Sequence, residues 1–350
     1  MDKRTFLKSL GLVATGIPAL SFAKEDFFET KADQKKLLAQ VLRKGDTIGL
    51  IAPAGVIDTE EAIVMTREIF ENFGFKIKEG KHIRSRYGNF AGKDEERLAD
   101  IHSMFADKEV KAIVCIRGGA GASRLLPHID YQLIANNPKV LLGYSDITAL
   151  IMAFYKKTGL ISFHGAVGIS TWSNTVAKNF ENQFFLNQPT QFANPTEKGD
   201  NFIQYKERIT TLKSGQATGT LLGGNLTLLS GLCGSAYLPD FKNAILFLEE
   251  VDENIERVDR MFCQLKLAGI LDQIKGFVFG KCTDCGPAGG YGSLTLEQVL
   301  NDYIKPLGIP AYSGAMIGHI ANQFILPVGA QVKIDADKGT ITLLEKVLKD

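Results

Sequence analysis

The sequence is short of several things that would each have settled its class. Five cysteines in 350 residues are too few for a disulfide-built scaffold. Forty basic residues against 39 acidic leave a formal net charge of +1, without the basic excess that sequence-independent nucleic-acid binding needs. Beyond the N-terminus no run is long and apolar enough to span a bilayer. There is no internal repeat, no low-complexity tract and no P-loop lysine. The single tryptophan, Trp172, lies in a polar stretch, where packing is the expected role and stacking on an aromatic ligand the alternative. What remains, with 45% hydrophobic and 23% charged residues, is the composition of a soluble globular protein of roughly two domains.

The N-terminus has a layout of its own. Lys3, Arg4 and Lys8 precede the uncharged, mostly apolar run Gly11 to Leu20, and Ser21-Phe22-Ala23 offers small residues around a cleavage point. Residues 1–23 therefore read as a secretory signal peptide, twin-arginine-like with Lys3 in place of the first arginine. A buried or amphipathic N-terminal helix is the competing reading. The expectation is an exported, periplasmic protein with no stable membrane span after processing, or a cytoplasmic one if the signal is unused.

After residue 45 the pattern alternates. Thr47–Ala52, Phe75–Lys78, Lys111–Ile116 and Val140–Tyr144 are strand-like, and helix-like stretches lie at Glu60–Phe73, at Lys93–Phe105 and after Tyr144. Continuous apolar strands separated by helices predict a parallel sheet covered on both faces, with binding residues at the strands' carboxyl ends. Residues 168–214 turn polar and read as a connecting segment. Regular signals resume with Leu221–Leu229, the strands Ala244–Leu248 and Phe277–Gly280, and the helices Glu256–Leu267 and Leu296–Leu307. A terminal hairpin follows, Gln331–Asp335 and Thr340–Leu344, with a Lys338-Gly339 turn. Cys282-Thr283-Asp284-Cys285 has redox-type spacing but does not head a βαβ unit, and no second pair completes a zinc site. Two ordinary thiols are expected there, open to a local disulfide in an oxidising compartment; Cys115, Cys233 and Cys263 read as core residues.

Three residues suggest a nucleophile, a base and an orienting acid. Ser145 follows a strand where a helix begins, so its hydroxyl would project from a sharp turn, with the Asp146 amide at a helix N-terminus behind it. A helix cap is the competing reading, and spacing alone favours it. His319 follows an apolar run in Gly318-His319-Ile320 and could act as a general base, although a lone histidine is usually structural. Glu249 ends an apolar strand and opens the cluster Glu249, Glu250, Asp252, Glu253, readable as a solvated acidic loop, a metal site or the source of a histidine-orienting carboxylate. The turn Arg117-Gly118-Gly119-Ala120-Gly121-Ala122-Ser123 could approach a phosphate or a reacting carbonyl; Arg124 stands where a dinucleotide fingerprint needs its third glycine.

Taken together, these motifs and their neighbours carry a resemblance. Tyr87-x-x-Phe90-Ala91-Gly92-x-Asp94, Ile113-x-x-Ile116-Arg117-Gly118-Gly119-x-Gly121 and Gly143-Tyr144-Ser145-Asp146-Ile147-Thr148 come in order. Leu222-Gly223-Gly224-Asn225-Leu226, Phe247-Leu248-Glu249, Asp259-Arg260-Met261, Gly318-His319-Ile320 and Leu326-Pro327-Val328-Gly329 follow them. From about Gly45 to Glu345 the chain resembles the LD-carboxypeptidase family of serine peptidases, which includes the microcin-immunity peptidases. The resemblance implies a flavodoxin-like parallel-sheet N-terminal domain (45–167) with the nucleophile, and a smaller β-rich α/β C-terminal domain (215–346) with the glutamate and histidine. It implies a Ser145, Glu249, His319 triad, an oxyanion hole at the amides of Gly119 and Asp146, no metal and no cofactor. Ala120, Arg124, His164 and Asn225 are the implied substrate contacts. Ala120 stands where the family often has an aromatic residue, and Ala166 where it usually has proline. The implied activity is removal of terminal D-alanine from murein tetrapeptides by a homodimer. The alternatives are an immunity-type hydrolase acting on a peptidyl-nucleotide antibiotic, or a non-catalytic murein-peptide binder.

Overall fold

The computed structural model describes residues 35–289 and 292–350, and the signal-peptide reading of residues 1–23 lies outside them. Five parallel strands come first: β1 (Thr47–Ile51), β2 (Lys76–Glu79), β3 (Val110–Cys115), β4 (Val140–Gly143) and β5 (Ser162–His164). They pair in the order β2-β1-β3-β4-β5, the flavodoxin-like arrangement. β4 is buried at every residue and β3 at all but Lys111, as the continuous apolar runs require. The helices α1 (Glu60–Asn72), α2 (Asp94–Ala106), α3 (Tyr131–Asn136) and α4 (Thr148–Thr158) connect them. Thr59 caps α1, its hydroxyl accepting from the Ala62 amide at 3.3 Å, and Ile63, Thr66 and Phe70 bury one stripe at helical spacing. α4 is buried without interruption from Thr148 to Tyr155.

The second sheet is mixed and has eight strands. They are β6 (Gln191–Ala193), β7 (Thr210–Lys213), β8 (Gln216–Asn225), β9 (Ile245–Val251), β10 (Gly276–Thr283), β11 (Ala311–Ser313), β13 (Gln331–Asp335) and β14 (Thr340–Leu343), with β12 (Leu326–Val328) set apart. The order is β6-β14-β13-β8-β9-β10-β11-β7, with β8 to β11 parallel. α5 (Asn174–Phe184), α6 (Leu226–Leu232), α7 (Ile255–Leu267) and α8 (Leu296–Tyr303) complete the elements. The expected helix over Leu296–Leu307 is α8 followed by a 3-10 turn at Lys305–Leu307, since Pro306 cannot continue an α-helical ladder.

Three expectations are corrected here. Residues 168–214 do more than connect: they contain α5 and supply β6 and β7, the two outer strands of the second sheet. Each of these strands buries a single residue, Phe192 or Leu212, so no apolar alternation marks them in the sequence. Trp172 packs there against Phe70, Phe73 and Phe180 and donates to the Val167 carbonyl at 3.0 Å. β12 leaves the C-terminal region and pairs antiparallel with β5, closing an edge of the first sheet. Finally, Cys282 and Cys285 form a disulfide rather than two thiols, across a turn that sets their Cα atoms 5.4 Å apart. Among the other cysteines Cys115 is fully buried, while Cys233 and Cys263 are partly exposed. No helix among the described residues is long and apolar enough to cross a membrane.

Candidate active site

The site is assembled at strand ends. Ser145 follows β4 with φ at +61°, a left-handed backbone that a side chain rarely adopts, at the head of a short 3-10 turn leading into α4. That is the strained turn which lifts a hydroxyl off the end of a sheet. Gly118, in the turn after β3, lies against it: a Cβ there would meet the Ser145 Cβ at 2.7 Å and its Oγ at 2.9 Å. The glycine turn and the hydroxyl are thus in contact, and glycine is required at position 118 by space rather than by dihedral angle. Asp146 is buried, and its Oδ2 accepts the Ala122 amide at 2.7 Å, so the cap-like role weighed for this residue is directed at the neighbouring turn. Burial raises the Asp146 pKa.

Glu249 is near the carboxyl end of β9, in register with Asn225 of β8, and is completely buried. Its Oε2 lies 2.8 Å from Nδ1 of His319, while Oε1 has no hydrogen-bond partner among the described residues. A buried carboxylate is costly unless paired, and here the partner is the imidazole. Gly318 makes the approach possible, because a Cβ at that position would fall 2.8 Å from Glu249 Oε2. With Nδ1–H donating to the carboxylate, Nε2 is left with a lone pair to accept a proton. His319 is partly exposed, and its ring lies 4.8 Å from that of Tyr144, the residue preceding Ser145. The acid–base pair and the serine turn are therefore neighbours. Such a set can deprotonate a hydroxyl, stabilise the resulting imidazolium and transfer an acyl group.

The remaining candidates divide. Gly119 is exposed and Ala120 half-buried on the glycine turn, beside Ser145. Arg124 is held by Asp94 through contacts of 2.8 to 3.1 Å and stacks over Phe90. His164 is buried, with neither ring nitrogen hydrogen-bonded among the described residues. Burial drives its pKa down to about 4, opposed by Glu249 and assisted by His319. It supports Tyr144 and Phe247 from below, at ring distances of 6.0 and 5.2 Å. Asn225 is also buried: its Oδ1 caps α6 by accepting from Leu228, and its side-chain amide donates to Glu250 at 3.0 Å. The acidic cluster separates in the same way, Glu250 binding Asn225, Thr227 and Val251, and Glu253 pairing with Arg257. Among the described residues no group of three or more His, Cys, Asp or Glu side chains is placed to hold a metal.

Sequence reasoning missed Asn194. Its Nδ2 donates to the carbonyls of Glu207 and Gly314, and its Oδ1 accepts the Met316 amide, fixing the start of the loop that carries His319. Three hydrogen bonds from one side chain leave no mark in composition or periodicity.

Residues 48–165 match the LD-carboxypeptidase N-terminal domain, and residues 218–334 match the LD-carboxypeptidase C-terminal domain. The chain belongs to the LD-carboxypeptidase family. It is 38% identical to a probable murein peptide carboxypeptidase of Bacillus subtilis, over 87% of this chain and 93% of that one. A murein tetrapeptide carboxypeptidase of Pseudomonas aeruginosa is 30% identical, over 83% and 94% respectively. Among solved structures, that of MccF in complex with glutamyl sulfamoyl guanosine superposes with a TM-score of 0.81 at 28% identity, covering 89% of this chain and all of that one. The two-sheet architecture is that of the family, and membership makes the chain a peptidase of the serine class.

Proposed function

We propose that the protein is a serine carboxypeptidase that hydrolyses the L,D-peptide bond releasing terminal D-alanine from murein tetrapeptides. The observation that carries this reading is the pairing of buried Glu249 with His319 at 2.8 Å beside the strained Ser145 turn. Ser145 attacks the scissile carbonyl while His319 Nε2 takes its proton, and Glu249 orients the ring and stabilises its charged form. The amides of Gly119 and Asp146 receive the developing oxyanion. His319 returns the proton to the departing D-alanine amine, and a water repeats the sequence to free the enzyme. Names of the Bacillus and Pseudomonas relatives support a murein peptide as substrate. The test is to incubate the protein with murein tri-, tetra- and pentapeptides and weigh the products. Loss of one alanine from the tetrapeptide alone is expected, and an intact tetrapeptide would overturn the reading.

The likeness to MccF, at a TM-score of 0.81, favours a second reading, an immunity-type hydrolase acting on a peptidyl nucleotide. Cleavage of an aminoacyl sulfamoyl nucleoside in preference to tetrapeptide would select it. A covalent adduct on Ser145 from a serine-directed probe separates either enzyme from a binding protein. The leader-like N-terminus supports a periplasmic address, tested by cell fractionation, and the family resemblance supports a homodimer, tested by light scattering.

A further inference from the structure

Three arginines surround the glycine turn, and they differ in what they have left to donate. Arg97 is buried, with Nη1 on the Pro53 carbonyl at 2.8 Å and Nη2 on Asp94 at 2.6 Å. Arg124 is spent on Asp94 and more than half exposed. Arg117, the first residue of the turn, is committed through Nη1, which donates to the Val56 carbonyl at 2.9 Å and to Asp58 at 3.0 Å. Its Nε is buried with no partner among the described residues, against the backbone of the turn: a Cβ on Gly55 would lie 3.4 Å from it and one on Gly119 4.0 Å. Its side chain is 30% exposed, and that of Asp58 is 66% exposed.

We propose that Arg117 is the receptor for the free terminal carboxylate of the substrate, with Asp58 holding the guanidinium until that carboxylate displaces it. The inference rests on the carboxypeptidase reading above. A carbonyl placed over Ser145 with its oxygen at Gly119 has the terminal carboxylate carbon three bonds further on, within roughly 4 Å. Gly118 touches Ser145 and Gly119 lies beside the Arg117 Nε, so a short step along the turn leads from one to the other. The exchange is physically easy because an exposed aspartate–arginine pair is weak, whereas a guanidinium takes a carboxylate through two parallel charge-assisted hydrogen bonds. One anion replaces another, so the guanidinium is not left unpaired at any stage. Arg97 also has an unpartnered Nε, but its side chain is wholly buried where Arg117 is partly exposed, and Arg124 faces outward, so neither offers the same.

The test separates binding from chemistry. In a Ser145→Ala background, the affinity for murein tetrapeptide and for its terminal amide is measured by calorimetry, alone and with Arg117→Gln, Arg117→Lys or Asp58→Asn added. The parent should bind the acid more tightly than the amide by about 30-fold, the worth of a charge-assisted contact. Arg117→Gln should erase that preference while leaving the amide's affinity within about threefold, and Arg117→Lys should restore part of it. Asp58→Asn should tighten the acid severalfold and leave the amide alone. Equal weakening of acid and amide by Arg117→Gln, an unchanged preference, or no gain in Asp58→Asn would overturn the proposal. If Arg117→Gln does not fold, the lysine and asparagine variants still decide. Equal cleavage of acid and amide by the wild-type enzyme would overturn the carboxypeptidase reading itself. A wild-type enzyme that spares the amide, combined with an indifferent Arg117, would overturn this assignment alone.

Discussion

The Asp146 carboxylate accepts the Ala122 amide at 2.7 Å, so the residue after Ser145 holds the far end of the turn that begins at Arg117. Two loops that leave adjacent parallel strands, β3 and β4, are thereby locked together. The proposed oxyanion donors, the amides of Gly119 and Asp146, belong one to each loop, and their spacing depends on this bond.

Asp146→Ala should release the glycine turn without touching Ser145. We expect kcat to fall by about 10²-fold, on the scale of losing one oxyanion donor, with a smaller change in KM. An unfolding titration should register a loss of about 1–3 kcal/mol from the stranded Ala122 amide. Asp146→Asn keeps an oxygen for that amide and should recover much of both losses. Full activity in the alanine variant would separate the turn from catalysis.

Ser145→Ala and His319→Ala should each reduce turnover by about 10⁴-fold, and the double variant should be little worse than either. Multiplying losses in steady-state kinetics would show that the two side chains act independently. Activity should be indifferent to EDTA.

His164 predicts an acid-sensitive fold. Burial lowers its pKa to about 4 against an ordinary 6.5, so between these values the unfolded chain binds the proton that the native one refuses. Stability is therefore fully present above pH 6.5 and declines as pH falls towards 4, by about 3 kcal/mol from this group. Asp146 and Glu250, whose pKa values are raised by burial, slope the opposite way, so the comparison must be differential. Urea unfolding of wild type and His164→Phe at pH 7 and pH 5 isolates the term. The variant should lose less stability on acidification, and identical pH responses would contradict the assignment.

The Cys282–Cys285 bridge closes a very short loop, so its removal should cost only about 2 kcal/mol on the loop-entropy scale. Dithiothreitol should lower the denaturant midpoint of the wild type and leave that of a Cys282→Ser, Cys285→Ser variant unchanged. A midpoint unaffected by reductant would mean that the thiols are free in solution.

Legibility followed burial. β3 and β4 were readable because their apolar runs are buried on both faces, and α1 because Ile63, Thr66 and Phe70 recur at helical spacing under a threonine cap. Ser145, Glu249 and His319 could be nominated from the ordered motifs around them, and the fold brings the acid and base into contact. β6 and β7 were illegible because each buries a single position, and β12, though buried throughout, because three residues with a central proline are too short a run to mark a strand. The burial of His164 and Asn225 was not legible, because a polar residue near a strand end looks the same in sequence whether it faces a cleft or is enclosed behind it. Burial and partner choice are long-range properties: His164 packs against Phe247, and the backbone N–H of Asn225 donates to the Thr148 hydroxyl, 77 positions away.

The return of β12 to the first sheet has a consequence for biosynthesis. On a ribosome, β1 to β5 emerge first, yet β5 gains its outer neighbour only about 160 residues later. Until then the nascent sheet carries a bare hydrogen-bonding margin, the kind of edge that recruits foreign strands. The same delayed segment carries His319 just ahead of β12, so the event that seals the margin also delivers the base. A polypeptide halted partway would be both sticky and inert, and acquisition of activity should coincide with the disappearance of that hazard.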